Sequence, residues 1–567
     1  MKFFFANASG SAIRWSTLLI GSLCLAFAAH PKIAGDFERR DPQATVDVIV
    51  QFRQAPGEAQ HQKIRARGGK LIEAFDSIKA GHYTVPAAAL DRLADDPEVV
   101  FISPNRPVRA MLNFANPTLG ANVALSEGLN GSGVGIAIID SGVLATHPDL
   151  FGRVVYQQSF VGGDASDQLG HGTHVAGIAA GNAASSAGLL YKATFRGIAP
   201  GANLISLRVL NQNGVGTDSA VIAALAQAVA LKTKYNIRVI NLSLGRPVYE
   251  SYTVDPLCQA VEAAWKAGIV VVAAAGNDGR DNSAGTEGYG TITAPGNDPY
   301  VITVGAMKTM GTATRTDDQI ASYSSKGPTA IDHVVKPDLV APGNRIVSLL
   351  NQFSQLSKTY PANQVSYSSY TLFPLPINSP LYFTLSGTSM AAPMVSGAAA
   401  LLLQQHPTLT PDQVKARLMK TATKNFPVSS VATDPTTGQS YTDYYDIFTV
   451  GAGYLNITAA LANTDLATEP ALSPTAVYNA TTNQVSLVDG TSVVWGTSVV
   501  WGTSVVWGTS VLSGSSVVWG TSVVWGTDTI AGFSVVWGTS VVWGTATPSA
   551  ASIGTPESVA VAIYGEN

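Results

Sequence analysis

Leu385-Ser-Gly-Thr-Ser-Met-Ala-Ala-Pro-Met-Val-Ser-Gly397 is the stretch on which the reading of this chain turns. It runs into Ala398-Ala-Ala-Leu-Leu-Leu403, apolar on every side, as a helix inside a core must be. A proline is tolerated in a helix's first turn, because deeper in it deletes a backbone hydrogen bond. Pro393 therefore places the helix start close by, with Ser389 just ahead of it. Free backbone N–H groups and the positive dipole end would lie beside its Oγ, and both favour an anion there. Taken alone, Gly-Thr-Ser could simply cap the helix. Two upstream stretches argue against that simpler reading.

The first is Gly135-Ile-Ala-Ile-Ile139, a continuous apolar strand of the kind buried on both faces, with Asp140 at its carboxyl end in Ile139-Asp-Ser-Gly142. The second is Gly170-His-Gly-Thr-His-Val-Ala-Gly177, where His171 stands at a helix start. Between these and Ser389 strand and helix alternate. Ser219 to Lys234 reads as a helix capped by Asp218, Val239 to Ser243 as a strand, Asp255 to Lys266 as a helix and Ile269 to Ala275 as a strand. Repeated β-then-α order implies an α/β fold, a parallel sheet wrapped by helices, with its site at the strands' carboxyl ends.

Asp140, His171 and Ser389, in that order and on those elements, resemble the catalytic domain of the subtilisin-like serine proteases over residues 113–462. A serine hydroxyl is a weak nucleophile at neutral pH, so an imidazole must take its proton during attack. The resemblance makes Ser389 the nucleophile, His171 the base, and Asp140 the group that fixes the imidazole's tautomer and stabilises its cation. His174 competes for the base role from a neighbouring helix face, and His147 reads as a structural hydrogen-bonder. Asn277, at the tip of Val271-Val-Ala-Ala-Ala-Gly-Asn277, matches the family's oxyanion amide beside the Ser389 N–H. Without its flanking motifs it would read as a turn residue.

The resemblance also implies a substrate site. Leu242-Ser-Leu-Gly245 (Ser243, Leu244, Gly245) would pair with substrate backbone as an added strand. With Ala274, Ala275 and Gly276 it would wall a pocket for a large apolar or aromatic side chain before the cut. Asp218 falls where many relatives carry a bulky subsite residue, so that subsite should be poorly hydrophobic. Met394 replaces the family's usual histidine. Residues 345–383 are long enough to cover the leaving-group side. The stretch Asn182 to Phe195 is enlarged where relatives build a calcium site, with Asp149 matching one ligand. The chemistry needs no cofactor, and a structural calcium is left open.

The rest of the chain divides by composition. Residues 1–29 read as a secretion signal, with Lys2 and Arg14 before the apolar run Leu18 to Phe27 and an Ala26-Phe-Ala28 cleavage pattern. That run is about half of the ~20 residues that span a bilayer. After a linker (30–45), residues 46–112 give a β-α-β-β-α-β order, with helices expected over Glu58 to Arg67 and Pro86 to Ala94. This is a ferredoxin-like α+β unit resembling the inhibitor-type propeptide of the same proteases. Its closest likeness is Leu93-Ala-Asp-Asp-Pro-Glu-Val-Val-Phe-Ile-Ser-Pro-Asn105. Aligning its last strand puts self-cleavage near Ala110 to Asn113.

Residues 463–490 read as a Thr-, Ala-, Pro- and Asn-rich linker. Over 491–545 the unit Ser-Val-Val-Trp-Gly-Thr recurs, with Trp495, Trp501, Trp507, Trp519, Trp525, Trp537 and Trp543 separated by multiples of six. A fixed short period of β-formers argues for stacked short strands and an association or surface-attachment module. A terminal segment, 546–567, follows.

A net charge of −4 over 567 residues argues neither for nucleic-acid partners nor for an anionic membrane, and two cysteines, Cys24 and Cys258, make no disulfide framework; no nucleic acid is expected. The reading is a secreted serine endopeptidase acting on polypeptides, made as a self-processed precursor held by its own propeptide, with no transmembrane helix. The alternative from another class is a surface adhesin with a vestigial protease domain. An esterase or peptide-ligating acyl transferase on the same fold is a third.

Overall fold

In β1 (Thr45–Phe52), Val46, Val48, Val50 and Phe52 are buried while Thr45 and Asp47 face out, the two-residue alternation of a strand with one wet face. β1 lies between β3 (Ala80–Pro86) and β4 (Val99–Pro104), with β2 (Lys70–Phe75) outside β3, all antiparallel. The Glu58–Arg65 and Leu90–Ala94 helices supply Ile64 and Leu93 to its core. Pro86 ends β3 instead of opening a helix; a single 3₁₀ turn, Ala87–Ala89, intervenes. The computed structural model describes residues 30, 32–33, 44–75, 79–104, 118–283, 285–373, 377–434, 437–479, 484–488, 563 and 565–566. They fall into two units, Met1–Val108 and Arg109–Asn567. The signal segment, the expected cleavage stretch and the hexapeptide repeats lie outside the described residues.

The second unit is built on an eight-stranded sheet. Its strands are β5 (Gly135–Asp140), β6 (Val154–Ser159), β7 (Asn203–Arg208), β8 (Ile237–Leu242), β9 (Val270–Ala274), β10 (Ile302–Lys308), β11 (Gln319–Ile320) and β12 (Leu339–Pro342). The order runs β11-β10-β9-β8-β5-β7-β6, with β12 also on β10, and only the β10–β11 pair is antiparallel. From β5 the chain goes out to β6 at the edge, returns to β7 between the two, then crosses to β8 on the other side of β5. The carboxyl ends of β5 and β8 thus form a switch point, where open α/β sheets bind ligands. β5 and β9 are buried throughout, which is why they read as unbroken apolar runs.

Helices Asp218–Tyr235 and Pro256–Lys266 pack together against the sheet, and Thr388–Gln405 packs on β8, β9 and β10 and against His171–Ala180. Caps differ from expectation by one residue. Thr217, not Asp218, accepts from Ala220 N–H, and Asp255 is the cap of its helix rather than the first residue. A second sheet orders β13 (Ile346–Leu349), β15 (Asn378–Leu385) and β14 (Gln364–Ser366).

Two expectations fail. Pro393 lies in the second turn of a helix that starts at Thr388, because the hydrogen bond it deletes is replaced from outside the helix, as described below. Nor are residues 463–490 a free linker. Ser473 is buried, donating to Asp338 at 2.5 Å and accepting from Lys415 at 2.9 Å. A hairpin of β18 (Thr475–Asn479) and β19 (Gln484–Val488) follows, β16 (Ser429–Thr433) and β17 (Ser440–Tyr444) forming another earlier. Composition hid this, because the anchoring is done by hydrogen bonds of Ser473 and by small buried residues, Ala471 and Ala476. Among the described residues no helix is long and apolar enough to cross a membrane.

Candidate active site

Asp140 ends β5 fully buried, and one carboxylate oxygen accepts from Ser141 N–H at 2.7 Å and from His171 Nδ1 at 2.8 Å. His171 can come this close because its neighbour is a glycine. A Cβ at Gly172 would lie 2.1 Å from the Gly142 carbonyl oxygen and 3.2 Å from Asp140 Cβ. Burial lowers the affinity of His171 for a proton. The charge and hydrogen bond of Asp140, with the charge of Asp167, outweigh it and hold the imidazole above its ordinary pKa.

Asp167 is a buried carboxylate that sequence reasoning did not single out. It accepts from Gly170 N–H at 2.7 Å, Thr173 N–H at 2.8 Å, Thr173 Oγ1 at 2.5 Å and Ser141 Oγ at 2.8 Å, pinning the first turn of the His171 helix to the end of β5. An acid four residues ahead of a helix-starting histidine was its signal. The long 345–383 region braces this loop. Gln355 and Leu356 N–H donate to the Gln168 and Leu169 carbonyls at 2.9 and 3.0 Å, and Asn351 Nδ2 donates to the Asp167 carbonyl at 2.6 Å.

From Thr388 to Leu403 the only residue that is not buried is Ser389. Its backbone carbonyl would normally accept from residue 393, but a proline stands there. Ser243 Oγ donates to that carbonyl instead, at 2.8 Å, and Ser389 Oγ donates back to the Ser243 carbonyl at 3.1 Å. Ser243 thus replaces the hydrogen bond Pro393 removes, which offsets a cost of ~1–3 kcal/mol for an unsatisfied buried acceptor. Ile139 pairs with Leu242 and Leu242 with Ala273, so Asp140, Ser243 and Ala274 end three adjacent strands at one level. Among the described residues no hydrogen bond joins Ser389 Oγ to His171.

Asn277 is turned by Thr388, whose N–H and Oγ1 both meet Asn277 Oδ1, at 2.9 and 3.1 Å. The carboxamide's donor end is thereby directed away from Thr388. Gly387 takes φ +138° beside it, and a Cβ there would lie 3.3 Å from Asn277 Nδ2. Thr388 Oγ1 also accepts from Gly276 N–H at 3.1 Å.

The other candidates fall as follows. His174 is buried, with Nε2 meeting the Ile346 and Phe383 carbonyls at 3.1 and 3.0 Å; burial and the nearby His171 push its pKa down to about 3, so it is a neutral structural donor. His147 Nε2 meets the Leu381 carbonyl at 3.0 Å and Nδ1 accepts from Asp149 N–H at 3.1 Å, a structural role. Leu244 and Gly245 form no backbone hydrogen bond among the described residues, and Gly245 is exposed, leaving an edge open for another strand. Ala274 and Ala275 are buried at the strand end, and Ala275 is tied on both sides, to the Val304 carbonyl and Thr293 N–H. The Asp218 carboxylate is bound by Arg246 Nε at 2.9 Å, and Arg246 Nη2 reaches Asp255 at 2.9 Å, which puts an ion pair at the far end of that edge. Met394 is buried in the core and Cys258 is a buried free thiol.

Asp149 is not set out as a calcium ligand. One carboxylate oxygen accepts from Tyr382 OH at 2.7 Å, the other from Ser185 N–H at 2.9 Å, and the side chain is fully buried. Calcium takes six to eight oxygen ligands, and here both Asp149 oxygens already accept from protein N–H and O–H donors. Aromatic packing occupies this region: Phe195 meets Tyr382 at 4.8 Å and Tyr370 at 5.4 Å, and Tyr191 stacks on Tyr370 at 6.0 Å. Excess chelator is therefore expected to leave the melting temperature unchanged in a differential scanning run, whereas Tyr382→Phe, which strips a hydrogen bond from buried Asp149, lowers it. A clear loss of stability on chelation would contradict this account of Asp149.

The subtilase family's sequence model matches residues 131–441. The chain is similar to the serine protease AprX of Bacillus subtilis (strain 168), 38% identical over 397 residues, 67% of this chain and 83% of that one. It is 36% identical to subtilisin DY of Bacillus licheniformis over 349 residues, 61% of this chain and 97% of the relative. With an extracellular serine proteinase of Thermus sp. (strain Rt41A) it shares 35% identity over 391 residues, 65% of this chain and 79% of the relative.

Proposed function

Because this chain belongs to the subtilase family and is a serine endopeptidase, we propose that Ser389 attacks the peptide carbonyl, His171 moves the proton and Asp140 holds the imidazole. The observation that carries this assignment is the Asp140–His171 hydrogen bond at 2.8 Å, one strand away from Ser389, the one residue from Thr388 to Leu403 that is not buried. His171 Nδ1 faces the acid, so Nε2 is the nitrogen left to accept the serine proton. In the resting site Ser389 Oγ donates to Ser243. It turns to His171 when substrate binds, since catalytic hydrogen bonds commonly tighten only in the complex.

The imidazolium then returns its proton to the leaving amine, and water repeats the cycle on the acyl-enzyme. Asn277 Nδ2 and the Ser389 N–H stabilise the oxyanion, with Thr388 aiming the amide. Substrate backbone adds to the free edge at Leu244–Gly245. Residues 46–112 act as an intramolecular inhibitor removed by self-cleavage near 110–113, and the processed enzyme works outside the cell, in keeping with its likeness to the extracellular serine proteinase of Thermus.

Asn277→Asp tests the assignment, since it keeps the acceptor for Thr388 while it removes the donor and sets a negative charge where the oxyanion would form. On a chromogenic peptide kcat is expected to fall ~10²–10³-fold, the scale found in the related subtilisin, with KM near wild type. A raised KM at unchanged kcat would place Asn277 in ground-state binding and remove it from the chemistry.

A further inference from the structure

Beyond the repeats the chain returns to the second unit. Ile563 and Glu566 are each only 4% exposed. The Glu566 carboxylate accepts from Lys308 Nζ at 2.9 Å, from Ser322 N–H at 2.8 Å and from Ser322 Oγ at 3.1 Å, with the Arg280 guanidinium at 3.6 Å. Its backbone is read as well. Glu566 N–H donates to Asn344 Oδ1 at 2.8 Å, Asn344 Nδ2 donates to the Glu566 carbonyl at 2.7 Å, and Asn363 Nδ2 donates to the Ile563 carbonyl. Gly565 sits at φ +68° where a Cβ would lie 2.5 Å from Ser386 Oγ and 2.7 Å from Arg345 Cγ. The site therefore selects an apolar residue, a glycine and an acid at fixed positions.

The groups that receive Glu566 are held independently of it. Lys308 ends β10, Ser322 follows β11 and Asn344 lies between β12 and β13. Arg280 is fixed by Asp434 at 3.0 Å and by Ser322 Oγ at 2.7 Å. Lys308 and Arg280 are 2% and 7% exposed, and a carboxylate taken out of water is tolerated only where such partners meet it. The stretch preceding the repeats is tied to the same unit. Thr475 bridges to Val334, the Pro474 carbonyl accepts from Val335 N–H at 2.8 Å, and Ala476 N–H donates to the His333 carbonyl at 2.8 Å.

We propose that Ile563–Glu566 is a latch, an acidic peptide ligand of this chain's own making, seated in a built anion site of Lys308, Arg280, Ser322 and Asn344. It fastens the chain beyond the repeats to the unit that also holds the stretch before them. Closing even a long loop costs only ~(3/2)RT ln n, which a handful of buried charge-assisted hydrogen bonds offsets. The latch also backs the nucleophile loop, since Asn344 follows Gly343, whose carbonyl accepts from Gly387 N–H at 2.8 Å.

The test uses the folded full chain in a Ser389→Ala background, with a cut site for an unrelated specific protease placed between Thr545 and Ile563. After cutting, the released end is followed by native gel filtration and mass spectrometry. It is expected to stay with the catalytic unit, to exchange with excess synthetic peptide spanning 560–567, and to leave ~10-fold faster or more in the Glu566→Gln chain, the loss of a hydrogen bond to a charged group. Immediate separation on cutting would overturn the latch. Equal departure rates with and without Glu566→Gln would overturn the anion site.

Discussion

Ser389→Ala is expected to lower kcat/KM on a peptide substrate by roughly 10⁵–10⁶-fold, the scale of nucleophile loss in the related subtilisin, with the melting temperature nearly unchanged. Both halves of that result follow from how the residue is held. Its hydroxyl makes one hydrogen bond, to the Ser243 carbonyl, and the side chain is the only one from Thr388 to Leu403 that is not buried. Removing Oγ opens no cavity in the core. The bond that compensates Pro393, from Ser243 Oγ to the residue 389 carbonyl, is made to backbone and survives the substitution. The remaining activity should be that of a site with its oxyanion donors intact, ~10³–10⁴-fold over water. Casein hydrolysis at the wild-type rate by Ser389→Ala, its propeptide removed by added wild-type enzyme that is then inactivated, would remove the nucleophile, and with it the mechanism.

The fold was legible where burial acts on both faces of an element. Gly135 to Ile139, Val271 to Ala275 and the run after Gly397 are apolar without a break because they lie inside the sheet and its central helix. The catalytic candidates were legible because each needs a rare side chain at an element's end. What stayed hidden were the compensations. Pro393 looked like a marker of the first turn, since the hydroxyl that makes it tolerable lies on another strand. Thr217 and Asp218 are equally good caps in sequence, and only the ion pair with Arg246 shows why the aspartate is engaged elsewhere. Asp149 matches a metal ligand by its motif alone, and its hydrogen-bond partner Tyr382 lies more than two hundred positions away, where no local pattern points to it. Residues 463–490 looked like a linker because buried Ser473 holds by hydrogen bonds rather than apolar bulk.

Asp140→Asn should cost about 10⁴-fold in kcat/KM at neutral pH while leaving the fold in place. One Asp140 oxygen already receives Ser141 N–H and His171 Nδ1, and the other is buried with no hydrogen bond among the described residues. An asparagine can keep its carbonyl on the first side only by burying an unpaired amide, at ~1–3 kcal/mol. If it flips, its N–H faces the imidazole and fixes the tautomer whose other nitrogen can no longer accept from serine. Either way the base is impaired. The charge is lost as well, and that charge is what chiefly holds His171 above its ordinary pKa against burial, with Asp167 adding to it.

The sign of the pH effect follows. The working imidazole is neutral, so the rate rises as pH climbs through the folded pKa of His171, which lies above the ordinary value of about 6.5. Removing the Asp140 charge moves that point down. The pH profile of kcat/KM for wild type and Asp140→Asn therefore tests the central claim most directly. A single acid-side inflection above about 6.5 in wild type, displaced to lower pH with a depressed plateau in the variant, is the result this arrangement requires. An inflection at the same pH in both would mean that some group other than His171, or a His171 not governed by Asp140, carries the proton.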